Sequence, residues 1–432
     1  MALGYDRSAA AHWVAGVRPA PHIAALIVEA LSRKLGRPVT THDAGLASAS
    51  QNLDHGLSAV PMSGAVTDLV ELWSADGDPV RRTILHDLAY SLSAVSSVPA
   101  WSQAGKLPRA ADKALPGARI GLPQVQAVQS MTELFYRSDI AFGSGGIRRA
   151  LTAYLSGDVA VWLRAPASTA VHRKLLSAVS ELVYLSAFMC FDSGLQGLAQ
   201  RYYLEALSLA REAQDPGAYA TVLRGMSVQA HMLGHHDVAL RLADSAAQAR
   251  GSVSGTSAAF LCGQLALACA ATRDRRGALE HLGAAERYLQ ASTDGGDTLG
   301  TYHPAALARQ RAEVLVAAGD RSAAREDLAV SIHRRPAGER LPRALTVARL
   351  AELQIHDGHV EAACVSGHRF LDDWVYLHSA RADALLSQLR ARLRPYQASA
   401  VVRILLERMR VVSAVTSTAA WAAGFPPAGD GP

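Results

Sequence analysis

Residues 187–206 read Ala-Phe-Met-Cys-Phe-Asp-Ser-Gly-Leu-Gln-Gly-Leu-Ala-Gln-Arg-Tyr-Tyr-Leu-Glu-Ala, and the spacing of their small residues returns four times further along the chain. Ala199 recurs as Ala239, Ala278, Ala324 and Ala363, at steps of 40, 39, 46 and 39 residues. Five residues before the alanine stands Gly194, Gly234, Gly319 or Gly358, with Arg273 in the third unit. Twelve before it stand Ala187, Ser227, Ala266, Ala312 and Ala351, and seven after it Ala206, Ala246, Ala285, Ser331 and Phe370. Two antiparallel helices approach closely only where side chains are small, and glycine ends the first of them. The pattern predicts helical hairpins stacked in series over residues 178–411, closed by helices at 379–393 and 396–411.

The order small, glycine, small, large, small resembles the tetratricopeptide repeat. The large position holds Tyr203, Leu282 and Leu328, but Ala243 and Gly367 in the second and fifth units. The steps exceed that family's period of about 34, so the helices or their connections are longer. Such a stack offers a concave surface made by the first helix of each unit. Counted from the alanines, its exposed inner positions are Tyr184 and Phe188, then Arg224, Val228 and His231, then Arg309 and Glu313, then Glu352. Aromatic rings beside arginines suit an extended peptide or protein segment whose carboxylates or carbonyls the guanidinium groups grip. The plainer alternative makes Tyr184 and Phe188 core between hairpins and leaves the arginines solvated. The terminal face of a stack also suits a homodimer.

At the N-terminus, residues 5–18 read Tyr-Asp-Arg-Ser-Ala-Ala-Ala-His-Trp-Val-Ala-Gly-Val-Arg and are followed by Pro19. A helix over 6–15 and a second over 20–35 resemble the recognition helix and following helix of Cro/CI-type helix-turn-helix regulators. The second places Ile23, Leu26, Ile27, Ala30, Leu31 and Leu35 at helical spacing and stops at Gly36. The resemblance makes Arg7, Ser8 and His12 the candidates for base or phosphate contact, and Arg18 a phosphate contact from a loop. A solvated helix face is the alternative. Two helices that precede the recognition helix in such domains have no counterpart in the few residues before it. Either the start lies upstream, or the chain is a truncated paralogue, or the fragment docks on the repeats.

A Cro/CI-type segment joined to tetratricopeptide repeats resembles a group of actinobacterial regulators linked to sporulation and antibiotic production. Tyr5-Asp6-Arg7-Ser8, His12-Trp13, Gly16 with Arg18-Pro19, and Glu29-Ala30-Leu31-Ser32 with Leu35-Gly36-Arg37-Pro38 carry it. Asp139-Ile140-Ala141-Phe142-Gly143, with Arg148-Arg149-Ala150, is similar to the middle region of that group. The resemblance implies a bacterial transcriptional regulator whose repeats bind a peptide or protein and modulate DNA binding. The alternative is an interaction scaffold that descends from such regulators and does not bind DNA.

The rest of the sequence narrows the classes. Half the residues are apolar and 19% are charged, which excludes a disordered chain. Low aromatic content with abundant alanine and leucine favours an all-α fold. The expected architecture is a partial helix-turn-helix over 1–46, a linker and helical connecting region over 47–121, a helical lead-in over 122–177, the α-solenoid over 178–411, and a disordered tail over 412–432. Within the connecting region helices are expected at 63–74 and 77–94, the latter capped by Asp78-Pro79, with a surface loop over 95–121. Further helices are expected at 122–140, 146–156 and 157–165. Gly143-Ser144-Gly145-Gly146 lacks a following Gly-Lys-Ser/Thr and reads as a hinge or tight turn.

The net charge of +5 is too dilute to demand a nucleic-acid partner. Residues 1–47 hold Arg7, Arg18, Arg33, Lys34 and Arg37 against Asp6, Glu29 and Asp43, a balance that permits DNA. Cys190, Cys262, Cys269 and Cys364 form no CxxC pair and read as buried thiols in a reducing compartment. No signal peptide and no run of about 18 apolar residues is visible, so a cytoplasmic protein away from membranes is expected. His235-His236 and the pair His356 and His359 sit at hairpin turns, where they read as turn polarity and not as metal ligands. No Gly-x-Ser-x-Gly, cofactor motif or catalytic constellation occurs, and no enzymatic activity is expected.

Overall fold

The computed structural model describes residues 21–41, 43–46, 66–104, 119–292 and 302–422, together with Trp13 and Pro19. Regular secondary structure among them is helical, with no strand. The all-α expectation holds, and consecutive helices pair as the repeat predicts. The chain divides into two compact units, one of Met1–Tyr136 with Ile147–Tyr302, the other of Arg137–Gly146 with His303–Pro432. The division falls inside the longest of the four alanine steps, between Ala278 and Ala324.

The first unit begins with α1 (Pro21–Leu35), α2 (Val66–Gly77), α3 (Pro79–His86), α4 (Leu92–Ser96) and α5 (Trp101–Ala104). Then come α6 (Leu122–Phe142) and α7 (Ser144–Tyr154), of which Arg137–Gly146 counts with the second unit; they are joined at Gly143, where the predicted turn has a backbone φ of +80°. A π-turn at Leu155–Val159 carries α7 into α8 (Ala160–Arg164). Three hairpins follow: α9 (Thr169–Asp192) with α10 (Gln196–Ala213), α11 (Pro216–Met232) with α12 (His236–Ala247), and α13 (Gly255–Ala271) with α14 (Arg275–Ala291). In the second unit α15 (Pro304–Ala317) pairs with α16 (Arg321–Arg334), and α17 (Arg340–His356) with α18 (Val360–Trp374). α19 (Ala380–Leu393) and α20 (Ala400–Ala422) close it.

The small-residue frame is buried at the alanine phase and at the positions twelve before and seven after it. Ala199, Ala239, Ala278, Ala324 and Ala363 are at most 1% exposed, as are the residues twelve before and seven after each. Where serine replaces alanine, its hydroxyl spans the hairpin. Ser227 donates to the Ala239 carbonyl at 2.7 Å, and Ser331 to that of Ala305 at 2.6 Å. A larger side chain would hold the backbones apart.

The hairpin turns share one conformation. Gly194, Gly234, Gly319 and Gly358 have φ between +80° and +88°, and Arg273, in the same place in the third hairpin, has φ +66°. In each, the N–H one residue further on donates to a carbonyl five residues back, as in Leu195 to Cys190, His235 to Ala230 and Asp274 to Cys269, all at 2.9 Å. This Schellman closure needs the left-handed backbone, which costs a side-chain-bearing residue about 1–2 kcal/mol.

Several boundaries differ from expectation. The helix over 77–94 is broken at Asp87–Ser91, although Asp78 caps α3 through the N–H groups of Val80 and Arg81. The break frees the Ser91 backbone for both ends of the Gln200 amide, at 2.7 Å each, and lets the Ser91 hydroxyl cap α4. The expected surface loop over 95–121 contributes core residues where it is described. Val98, Ala104 and Ile120 are buried, and Trp101 packs on Tyr219, whose hydroxyl donates to Pro99 at 2.8 Å. The first hairpin starts at Thr169, ahead of residue 178, and α20 runs through residues expected to be a frayed tail. α9 alone is long and apolar enough to cross a membrane among the described residues, and 83% of its apolar window is buried within the protein.

Candidate partner-binding surfaces

Arg7, Ser8, His12 and Arg18, the candidate DNA contacts, lie outside the described residues. The helix that follows them is described. α1 docks on the second hairpin of the first unit, where Glu29 and His235 share a 2.7 Å hydrogen bond, both nearly buried. Tyr90 stacks on the His235 ring at 5.5 Å, and Arg33 pairs with Glu29 one helical turn away. Ser32 turns the chain back by bonding the N–H of Val39 at 3.0 Å. α1 itself is therefore seated on the hairpins. The reading of His235 as turn polarity is corrected, because it is 5% exposed and ligated by a carboxylate from another element. His356 and His359 are exposed at their turn. No group of three metal-ligating side chains occurs among the described residues.

The inner positions of the first unit are more enclosed than expected. Tyr184 is 6% exposed and packs against Tyr203 at 5.9 Å and Phe188 at 6.5 Å. Gly225 on α11 makes the room: a Cβ there would stand 2.6 Å from the Tyr184 ring. Phe188 and Val228 are half-buried against the same core. Tyr184 is therefore a packing residue between hairpins, while Phe188 stays partly exposed. Burial pushes the Tyr184 hydroxyl above its ordinary pKa, and Arg224, which bonds it, pulls the other way. Arg224 lies 3.5 Å above the Phe260 ring, which meets Tyr302 edge-on. His231 is half-buried, with its ring 5.3 Å from that of His236. Phe260 and Tyr302 were not among the sequence candidates. Phe260 lies one turn from the inner phase, and nothing local marks Tyr302.

The inner positions of the second unit form an ionic ladder. Glu313 accepts from Arg349 at 3.0 Å, Arg349 also bonds Glu352 at 2.6 Å, and Glu352 pairs with Arg392 at 2.6 Å. The ladder runs from α15 through α17 to α19 and braces successive first helices. Glu313 and Glu352 are thus engaged within the protein. Arg309 is half-buried, and its Nε has no hydrogen-bond partner among the described residues. Burial holds its pKa below the ordinary value; Glu313 opposes this, while Arg335, Arg381 and Arg349 reinforce it.

A third polar centre joins the connecting helices to the first hairpin. Asp76 on α2 accepts from Arg148 at 2.7 Å, from Tyr202 at 2.8 Å and from Thr152 at 3.2 Å. Arg148 also reaches His86 at 3.0 Å. Burial opposes the charge on Arg148, but Cys190 and Asp76 beside it hold its pKa above the ordinary value. Burial pushes the Cys190 thiol up to about 12, so it is no nucleophile. All four cysteines are free and buried. This explains the middle-region motif: Arg148 neutralises Asp76, and Asp139 accepts from Ser144 at 2.7 Å across the Gly143 turn.

A family model described as the SP15 N-terminal domain matches residues 1–47. The match includes all of α1 with Glu29 and ends where the sequence turns rich in Ser, Gly and Asn. No curated protein matches the chain.

Proposed function

We propose that this chain is a cytoplasmic bacterial transcriptional regulator whose N-terminal segment contacts DNA and whose tetratricopeptide-like hairpins bind a peptide or protein that modulates the contact. The observation that carries this reading is the docking of α1 on the second hairpin through Glu29, His235 and Tyr90. His235 sits on the turn between α11 and α12, so a partner that shifts that hairpin changes the seat of α1. Two sites that bias one element are coupled by the differential affinity of each for its positions. Arg224 on Phe260 supplies a cationic and aromatic edge for a carboxylate-bearing segment.

A mobility-shift experiment with genomic fragments at about 50 and 200 mM salt tests the reading. The expected result is retention of a small subset of fragments at the higher salt. Uniform retention, or none, overturns it. The docking of α1 also favours a second reading, an interaction scaffold that does not bind DNA, because α1 finds its packing partners on the hairpins. The same experiment separates the two, with a pull-down from native extract as the positive test of the scaffold.

A further inference from the structure

The chain has five more basic than acidic residues. From Ala380 to Arg410, α19, α20 and the turn between them hold seven arginines against Asp383 and Glu407, and seven minus two is the whole of that excess. The remainder of the chain balances to zero. The closing helices need only an apolar inner face for their packing role, and Leu386, Leu389, Leu393, Val402, Leu405 and Met409 provide it, all buried. Their outer face is free to serve another purpose.

That outer face forms an open groove of about 500 Å³, lined by Arg390, Arg394, Arg403 and Arg410 with Gln397, Leu406 and Glu407. The four arginines are exposed. Several arginines of the second unit meet carboxylates, among them Arg343 with Asp373, Arg349 with Glu313, and Arg408 with Asp372. Here only Arg410 does so, with Glu407 at 2.7 Å. Arg390, Arg394 and Arg403 have no carboxylate partner among the described residues, although Arg403 donates to the Ala398 carbonyl at 2.8 Å. Arg390 on α19 and Arg394 in the turn just after it are four residues apart, and Arg403 and Arg410 are two turns apart on α20, so the charges line the groove as rows.

Rows of guanidinium forks match a ligand with repeated phosphates. A protein partner would require an apolar centre, and the lining holds one apolar residue, the half-buried Leu406. We propose that the groove between α19 and α20 binds the phosphate backbone of duplex nucleic acid without reading its sequence. The inference does not rest on residues 1–47 and holds whether or not they select a DNA site.

The test is fluorescence anisotropy of a labelled random-sequence duplex of about 30 base pairs, titrated with the full chain between about 50 and 200 mM salt. Wild type should bind with an affinity that falls steeply as salt rises. The triple variant Arg390→Ala, Arg394→Ala, Arg403→Ala, with far-UV circular dichroism unchanged, should bind at least about tenfold more weakly at low salt, with a log–log salt slope shallower by about three. The corresponding lysine triple should keep the slope, because it keeps the charge. Equal affinity and slope for wild type and the alanine triple overturn the proposal. So does wild-type binding to phosphatidylserine vesicles or polyglutamate in place of the duplex. A chain carrying Arg7→Ala and Arg18→Ala separates the two readings. If it loses fragment selection yet keeps random-duplex affinity, the groove stands while the N-terminal contact is confirmed. If it loses all duplex binding while the alanine triple keeps it, the groove is excluded and the regulator reading survives.

Discussion

The two units share one frame and place their ionic groups differently on it. Hairpins of both units put residues no more than 1% exposed at the alanine phase and close their turns with a left-handed residue. The first unit sinks its charges: Asp76 with Arg148 and Glu29 with His235 are all below 9% exposed. The second also buries one pair, Arg335 with Glu339, but leaves half-exposed the ladder from Glu313 through Arg349 and Glu352 to Arg392. Small residues fix how the helices pair, and charge placement decides what holds the neighbouring elements on. A buried charge is indispensable once present, because removing its partner leaves an uncompensated ion, whereas a half-exposed pair contributes little.

That contrast can be broken most severely at Asp76. Asp76→Ala strands Arg148 and should lower unfolding free energy by about 3–5 kcal/mol. Chemical denaturation followed by circular dichroism measures it, and a loss below about 1 kcal/mol would place this pair with the surface ladder. Gly225→Ala comes next, since its Cβ would stand 2.6 Å from the Tyr184 ring and 2.9 Å from that of Tyr203. We expect a cost of about 1–3 kcal/mol in the same assay, with tyrosine near-UV signals shifted. Arg273→Gly should act in the opposite direction and stabilise by about 1 kcal/mol, because among the five hairpin turns it relieves the one closed by a side-chain-bearing residue. Glu313→Gln is the mildest, with a loss of about 0.2–1 kcal/mol that shrinks as salt is added.

His86 sharpens the comparison through pH. Burial, and then Arg148, hold its pKa below 6.5 in the folded protein. The unfolded chain therefore takes up the proton first as pH falls below 6.5, and stability drops through that window. Denaturation midpoints measured from pH 7 to pH 5 should fall more steeply in wild type than in His86→Gln. Parallel curves would mean that the imidazole carries no linkage.

How much of this was legible in the sequence depends on whether a signal repeats. The alanine phase was readable because the same packing constraint acts five times, and even Arg273 keeps its place by adopting the glycine conformation. Tyr184 was expected at an exposed inner position, and its burial depends on Gly225, about a hairpin away, which admits the ring. The partner of His235 is separated from it by 206 positions, and no local pattern joins a helix residue to a turn histidine at that distance. The break after α3 has the same origin, because Gln200 competes for the Ser91 backbone from the first hairpin. Pro99 and Gly121 do fall in irregular backbone, but such backbone can still carry core residues such as Val98 and Ile120. The ladder arginines Arg349 and Arg392 went unnoticed because each looks like one solvated charge until α15, α17 and α19 are aligned.

The order in which the chain visits the two units has a practical corollary. It passes from the first to the second after Tyr136, back after Gly146, and across again after Tyr302. The short visit is anchored: Gly145 donates to the His378 carbonyl at 3.0 Å, and the His378 N–H returns a bond to Phe142 at 2.7 Å. A deletion series that trims the gene from either end therefore never isolates one intact half. Any fragment ending near Tyr302 keeps a short stretch whose anchor has been removed, and separating the halves cleanly calls for a rearranged gene in which 137–146 travels with 303–432.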